Sequence, residues 1–172
     1  IKKHEKTRKD KEDDRARHVM ELRSHTGPVF LTYRDNKNVD AIVAEITAET
    51  PYYSFVAPDG IEHKLWKAGP ERTEKLSGIF KDEVPCFYIA DGHHRAASAS
   101  RSGVTCKAAN PHHTGKEDYN FFLAVAFPAD QLRFLAYNRV VKDLNGLDKA
   151  AFLAKAGEKF NIEKTAAREP SR

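Results

Sequence analysis

The sequence lacks any hydrophobic run near the ~18 residues that a membrane-spanning helix needs. Its longest, "FFLAVAF" at 121–127, is the length of a strand. The first eighteen residues are almost all charged, which leaves no room for the apolar region of a signal peptide. Both absences lead to the expectation of a cytoplasmic protein. Cysteine is scarce: Cys86 and Cys106 form no CxxC or other zinc spacing, which excludes a zinc ribbon and a disulfide scaffold. No GxxxxGK[ST] is present, since Gly115-Lys116 has no glycine five residues upstream. GxGxxG, GxSxG and HExxH are missing too, which removes the common P-loop, dinucleotide, hydrolase and zincin readings. Charge of one sign is also in short supply. Twenty-nine basic against 25 acidic residues leave a net +4, too little for a protein that coats nucleic acid but suited to one that handles anionic small molecules.

What is present describes a globular protein. The 172 residues are 40% hydrophobic and 31% charged, enough for one domain with a core of its own. The chain opens on "IKKHEKTRKD" without a methionine, as though a strand had been cut. It is therefore expected to be an internal piece of a longer protein, with one domain over residues 1–163 and a frayed tail over 164–172.

The apolar spacing gives the elements. Acids at Asp10, Glu12, Asp13 and Asp14 favour a helix N-terminus. Ala16, Val19 and Met20 give that helix a narrow buried stripe, and Gly27-Pro28 ends it. "VFLTY" (29–33) is a buried strand. Val39, Ile42, Val43 and Ile46 have the period of an amphipathic helix, stopped by Pro51. Residues 52–69 read as two strands around a Pro-Asp-Gly turn. Glu71 to Phe80 is a short helix, 84–90 a strand with Cys86 as a small core residue, and Arg95 to Arg101 a helix running to Gly103. A polar loop covers 106–120. "FFLAVAF" reads as a strand in a central sheet position, 132–141 as another strand, and Leu147, Ala151 and Ala154 open a last helix that weakens at Gly157. The irregular alternation predicts a mixed α/β (α+β) domain rather than a regular doubly wound sheet.

Chemistry concentrates in "IADGHHRAASAS", 89–100. A strand ending in Asp-Gly and entering a helix leaves backbone N–H groups free at the turn, a ready anion site. Gly92 permits a positive φ or close approach of a ligand. Arg95 offers a bidentate fork to phosphate. His93 and His94 can donate to phosphate oxygens or move a proton near neutral pH. Asp91 can accept a proton from a hydroxyl or hold Mg²⁺. The plainer reading makes Asp91 an N-cap, with Arg95 paired to it one turn on. A second stretch, "KKHEKTR" (2–8), places Glu5 as a candidate general base among cations; its plainer reading is a solvated charged loop. His112-His113 points to opposite sides of an extended chain, which disfavours a shared metal ion. Trp66, Phe121 and Phe122 read as core rather than as a base-stacking platform.

"IKKHEKTR…DKEDDR", "TGPVFLTYRD", "YIADGHHRAASA", "FFLAVAFP" and "YNRVVKDLNGL", taken in order, resemble the uncharacterised bacterial family filed as domain of unknown function 1015. That family is in turn similar to the ParB/sulfiredoxin-like superfamily, which includes free serine kinases. The resemblance implies a ParB/sulfiredoxin-like mixed sheet with flanking helices. It implies nucleotide phosphates held by Gly92, His93, His94 and Arg95, with Asp91 at a metal ion or the reacting hydroxyl and Glu5 as base. The implied cofactors are ATP or ADP and Mg²⁺, and the implied reaction is phosphoryl transfer to a small hydroxyl compound such as free serine. A nucleotide-binding regulatory module is the alternative. A ParB-like DNA partner ranks last, because no helix-turn-helix pattern is present and the charge is mild.

Overall fold

The structure is a computed structural model and describes residues 1–135 and 140–164. It is mixed α/β. Two compact units divide the chain, residues 1–132 and 133–172.

The first unit is built around β1 (Val29–Tyr33), whose burial alternates so that Val29, Leu31 and Tyr33 face inward. β1 lies between β4 (Tyr88–Asp91), antiparallel to it, and β5 (Ala124–Pro128), parallel to it. The expectation that the 121–127 run holds the centre of the sheet is therefore corrected. β5 starts at Ala124, lies at an edge and buries only Pro128. An apolar run fits an edge or a centre equally well, and pairing partners decide between them. Phe121 is likewise no core residue, being exposed, whereas Phe122 packs against the Val29–Leu31–Ile89 cluster. Trp66 is half-buried and donates its indole N–H to the Glu49 carbonyl at 2.8 Å.

A second cluster joins Tyr33 and Val39 of α2 (Lys37–Thr47) to Val84, with Leu76, Ile79 and Phe80 of α3 (Pro70–Asp82) packed against it. Phe87 touches both clusters. Its ring meets Tyr33 edge-on at 5.9 Å, a preferred aromatic geometry. Asn36 caps α2 by accepting from the Asn38 and Val39 amides at 2.9 and 3.2 Å. The expected strand over 84–90 forms only from Tyr88, because Val84 and Phe87 are used as core plugs. Cys86 is half-buried. β2 (Tyr53–Val56) and β3 (Glu62–Leu65) pair as the expected hairpin, and all of their residues are exposed.

Two helices exceed or fall short of the punctuation in the sequence. α1 (Lys9–Leu22) stops at Arg23, which takes a left-handed φ of 50°, well before Gly27-Pro28. α4 (His93–Ala109) continues through Gly103. A Cβ there would sit 2.8 Å from the Tyr119 carbonyl oxygen, so this glycine serves a close backbone approach rather than a helix end. α4 therefore takes the first four residues of the expected 106–120 loop. α1 packs along α4, clamped by Arg101, which donates to Glu12 at 3.0 Å and to Asp13 at 2.7 Å. The expected strand over 132–141 lies partly outside the described residues; 132–135 and 140–141 form none.

In the second unit α5 (Lys149–Gly157) is capped by Asp148, whose carboxylate accepts from the Ala151 amide at 2.7 Å.

The loop after α4 closes on one carboxylate. Glu117 accepts from the Thr114 amide at 2.6 Å, the Gly115 amide at 2.9 Å and the Thr114 hydroxyl at 2.9 Å. The Thr114 amide above all holds its pKa down to about 2. His113 Nδ1 lies 2.8 Å from the Tyr119 hydroxyl and 3.0 Å from Glu117, so this histidine is part of the latch. The folded pKa lies below the ordinary value of 4.5. The stabilisation is therefore complete above pH 4.5 and is lost as pH falls toward 2. The Thr114 and Gly115 amide resonances are expected to titrate with a midpoint near 2 and to stop titrating in Glu117→Gln. A midpoint at the ordinary glutamate value would contradict this latch.

Candidate functional site

The site lies where β4 ends and α4 begins. β4 carries an irregularity in its pairing with β1: Phe30 pairs with Asp91 but Leu31 with Ile89, leaving Ala90 as an extra residue. Such a bulge redirects the side chains beyond it, and Asp91 emerges exposed. Gly92 follows with φ 91° and is the N-cap of α4, with no side chain capping the helix. The first-turn amides therefore have no side-chain acceptor and face the turn with the positive end of the helix dipole.

Arg95 folds back over this turn. Its Nη2 donates to Asp91 Oδ2 at 2.8 Å, while its Nε is buried with no hydrogen-bond partner. The plainer reading of the motif is thus half present. Asp91 pairs with Arg95 one turn on, but Gly92, not Asp91, is the cap. The guanidinium lies close enough to Gly92 that a Cβ there would stand 2.9 Å from Nη2 and 3.0 Å from Nε. On its other side Arg95 borders a cleft also lined by Arg15, His18, His25, Thr26 and Ser98. Gly27 of the α1–β1 loop also lines this cleft. The readings of the sequence missed these residues. No local signal marks them, because the cleft forms only where α1, the loop before β1 and α4 meet.

Glu5 arrives from 86 positions upstream of Asp91. The segment before α1 is tied to the free edge of β4: the Lys2 amide donates to the Phe87 carbonyl at 2.7 Å, and the Ile89 amide to the Lys2 carbonyl at 2.9 Å. Lys2 and Tyr88 form an isolated parallel bridge. Three residues further on, Glu5 Oε1 lies 3.1 Å from Nδ1 of His93, whose side chain is only 3% exposed. The His4 amide donates to Nε2 of the same ring at 3.4 Å, and the His4 ring meets it edge-on at 4.5 Å. Because an amide N–H points at Nε2, the ring proton sits on Nδ1 and is donated to Glu5. The Arg8 amide donates to His94 Nε2 at 3.1 Å. Both histidines therefore hold the 1–8 segment rather than standing free at the turn.

The structure thus brings Glu5, Asp91, Gly92, His93, His94 and Arg95 together at one turn. Among the described residues, the His/Cys/Asp/Glu group able to hold a metal ion is His4, Glu5 and His93. Asp91, expected at a metal ion or the reacting hydroxyl, pairs with Arg95 at 2.8 Å.

Fold and site define a mixed α/β protein with a carboxylate held beside the turn between a strand and a helix. The family described as "Protein of unknown function (DUF1015)" matches the chain over residues 1–172, and the chain belongs to that family. No curated protein and no solved structure matches it.

Gly92→Ala places a Cβ on a left-handed backbone and against the Arg95 guanidinium. It is expected to lower stability by about 1–2 kcal/mol, the cost of that conformation for an L residue. Chemical denaturation measures this, and a variant as stable as the parent would contradict the described turn.

Proposed function

We propose that the turn between β4 and α4 binds the phosphates of ATP or ADP and that the protein transfers a phosphoryl group to a small hydroxyl compound such as free serine. The carrying observation is that the segment bearing Glu5 is bonded along β4, so that its carboxylate reaches the N-terminal turn of α4. The positive end of the α4 dipole favours a negative group there, and a carboxylate so placed can act as a base toward a hydroxyl bound beside it. The reading is the one that the resemblance to ParB/sulfiredoxin-like free serine kinases, drawn from the sequence alone, implies.

The residues fit a phosphate. The α4 first-turn amides and the Nη2 of Arg95 supply donors of the right kind. The Asp91–Arg95 pair is exposed, with 74% and 39% of the side chains accessible. Such pairs are worth ~1 kcal/mol at most, so a phosphate that accepts a charge-assisted bond from Nη2 displaces Asp91 from it. The freed Asp91 carboxylate would then hold Mg²⁺ together with phosphate oxygens, the usual arrangement for that ion. Mg²⁺, when bound, neutralises charge on the transferring group.

In the reaction the acceptor hydroxyl oxygen bonds to the terminal phosphorus and the bond to the leaving phosphate oxygen breaks. Glu5 takes the hydroxyl proton. His93 holds Glu5 in place through Nδ1–H, and His94 anchors the chain at Arg8. Positioning and charge stabilisation account for the rate, as in phosphoryl transfer generally.

Two variants separate binding from catalysis. Arg95→Ala is expected to weaken ATP and ADP binding by ~1.5–3 kcal/mol, the scale of a charge-assisted hydrogen bond. Glu5→Gln is expected to abolish turnover across a panel of small hydroxyl compounds while leaving nucleotide affinity nearly intact. Isothermal titration and nucleotide-product release measure the two. Tight binding with no acceptor-stimulated release would leave a regulatory nucleotide-binding module. Unchanged affinity in Arg95→Ala would remove the phosphate assignment.

A further inference from the structure

We propose that His4, Glu5 and His93 form a binding site for one divalent transition-metal ion of the zinc type. Each residue offers one ligand atom, and these atoms all lie within 4.8 Å of one another. In a tetrahedral zinc site with bonds near 2.0–2.1 Å, ligand atoms stand about 3.3 Å apart. Glu5 Oε1 and His93 Nδ1, at 3.1 Å, already have that spacing. The remaining closure falls to the His4 side chain, which is exposed and stands edge-on to the His93 ring at 4.5 Å.

The donor set chooses the ion. Two imidazoles and one carboxylate suit zinc, nickel, cobalt or iron, whereas magnesium and calcium prefer oxygen ligands. The site is therefore distinct from an Asp91–Mg²⁺ arrangement and does not rest on the nucleotide reading. Three protein ligands leave a coordination position open to water or an anion, as in catalytic rather than structural zinc sites. His93 is held almost wholly out of solvent, so one ligand is fixed in advance. The other two come from the segment that Lys2 ties to β4. Where Glu5 ligates the ion it is unavailable as a base, so base and ligand are two states of one carboxylate.

Metal at Nδ1 requires the His93 ring proton to leave that nitrogen and Nε2 to carry one instead. The 3.4 Å contact from the His4 amide is then given up, and that amide, on an exposed residue, turns to water. This exchange of tautomers is a signature that a purely structural histidine does not give.

The test is a zinc titration of the untagged, chelator-stripped protein without nucleotide, followed by calorimetry and by ¹⁵N spectra of the histidine rings. One equivalent should bind, and the His93 proton should move from Nδ1 to Nε2; Mg²⁺ should produce neither change. His4→Ala and Glu5→Gln, both in the exposed segment, should each weaken binding at least about tenfold, a loss that even partners outside the ligand shell can cause. Absence of zinc binding would overturn the site. So would binding that both variants leave unchanged, because it would place the ion on other histidines.

Discussion

Everything proposed for this protein depends on the pairing of the N-terminal segment with the outer edge of β4. Two backbone hydrogen bonds of 2.7 and 2.9 Å at Lys2 set its register. They close an edge that would otherwise present unpaired amide and carbonyl groups, and they aim residues 4–8 across the start of α4. The His93 ring then completes the link. A buried imidazole is costly unless both nitrogens are satisfied, and here a carboxylate and a backbone amide satisfy them. Burial of the ring and placement of Glu5 are one constraint seen from two sides.

Electrostatic and steric effects at the turn divide their work. The helix dipole and first-turn amides favour an anion but do not say which. Arg95 adds charge and planarity, and Gly92 makes room for its guanidinium. Asp91, on the exposed side, balances the charge of Arg95. Glu5 is placed consistently with this balance: the buried His93 holds its carboxylate at 3.1 Å, where the positive end of the helix dipole favours an anionic group.

Much of this was legible in the sequence. The strand at 29–33, the hairpin around Pro58-Asp59-Gly60 and the helix over 37–47 follow from periodicity and turn chemistry. The Asp-Gly turn into α4 also stood out locally, whereas Glu5 read on its own stretch as part of a solvated charged loop and only the resemblance gave it a role. What could not be read was long-range. Nothing in "FFLAVAF" says that β1 rather than β5 holds the centre, because pairing partners and not composition decide it. Gly103 looked like a helix end because its local preference is visible and the Tyr119 carbonyl that needs it is not. The adjacent histidines looked equivalent; in a helix they sit about 100° apart, and His93 alone is buried, where the Glu5 carboxylate and the His4 amide and ring meet it. The His4–Glu5–His93 group needed that burial to be seen at all.

The protonation pattern of the His93 ring tests the account most directly. With the Nε2 lone pair facing the His4 amide and Nδ1 facing Glu5, long-range ¹H–¹⁵N spectra of the metal-free protein should show the Nδ1–H tautomer, with a proton protected from solvent exchange. An Nε2–H tautomer, or a ring exchanging as freely as an exposed histidine, would mean that the N-terminal segment does not lie across α4 and that Glu5 is not part of the site.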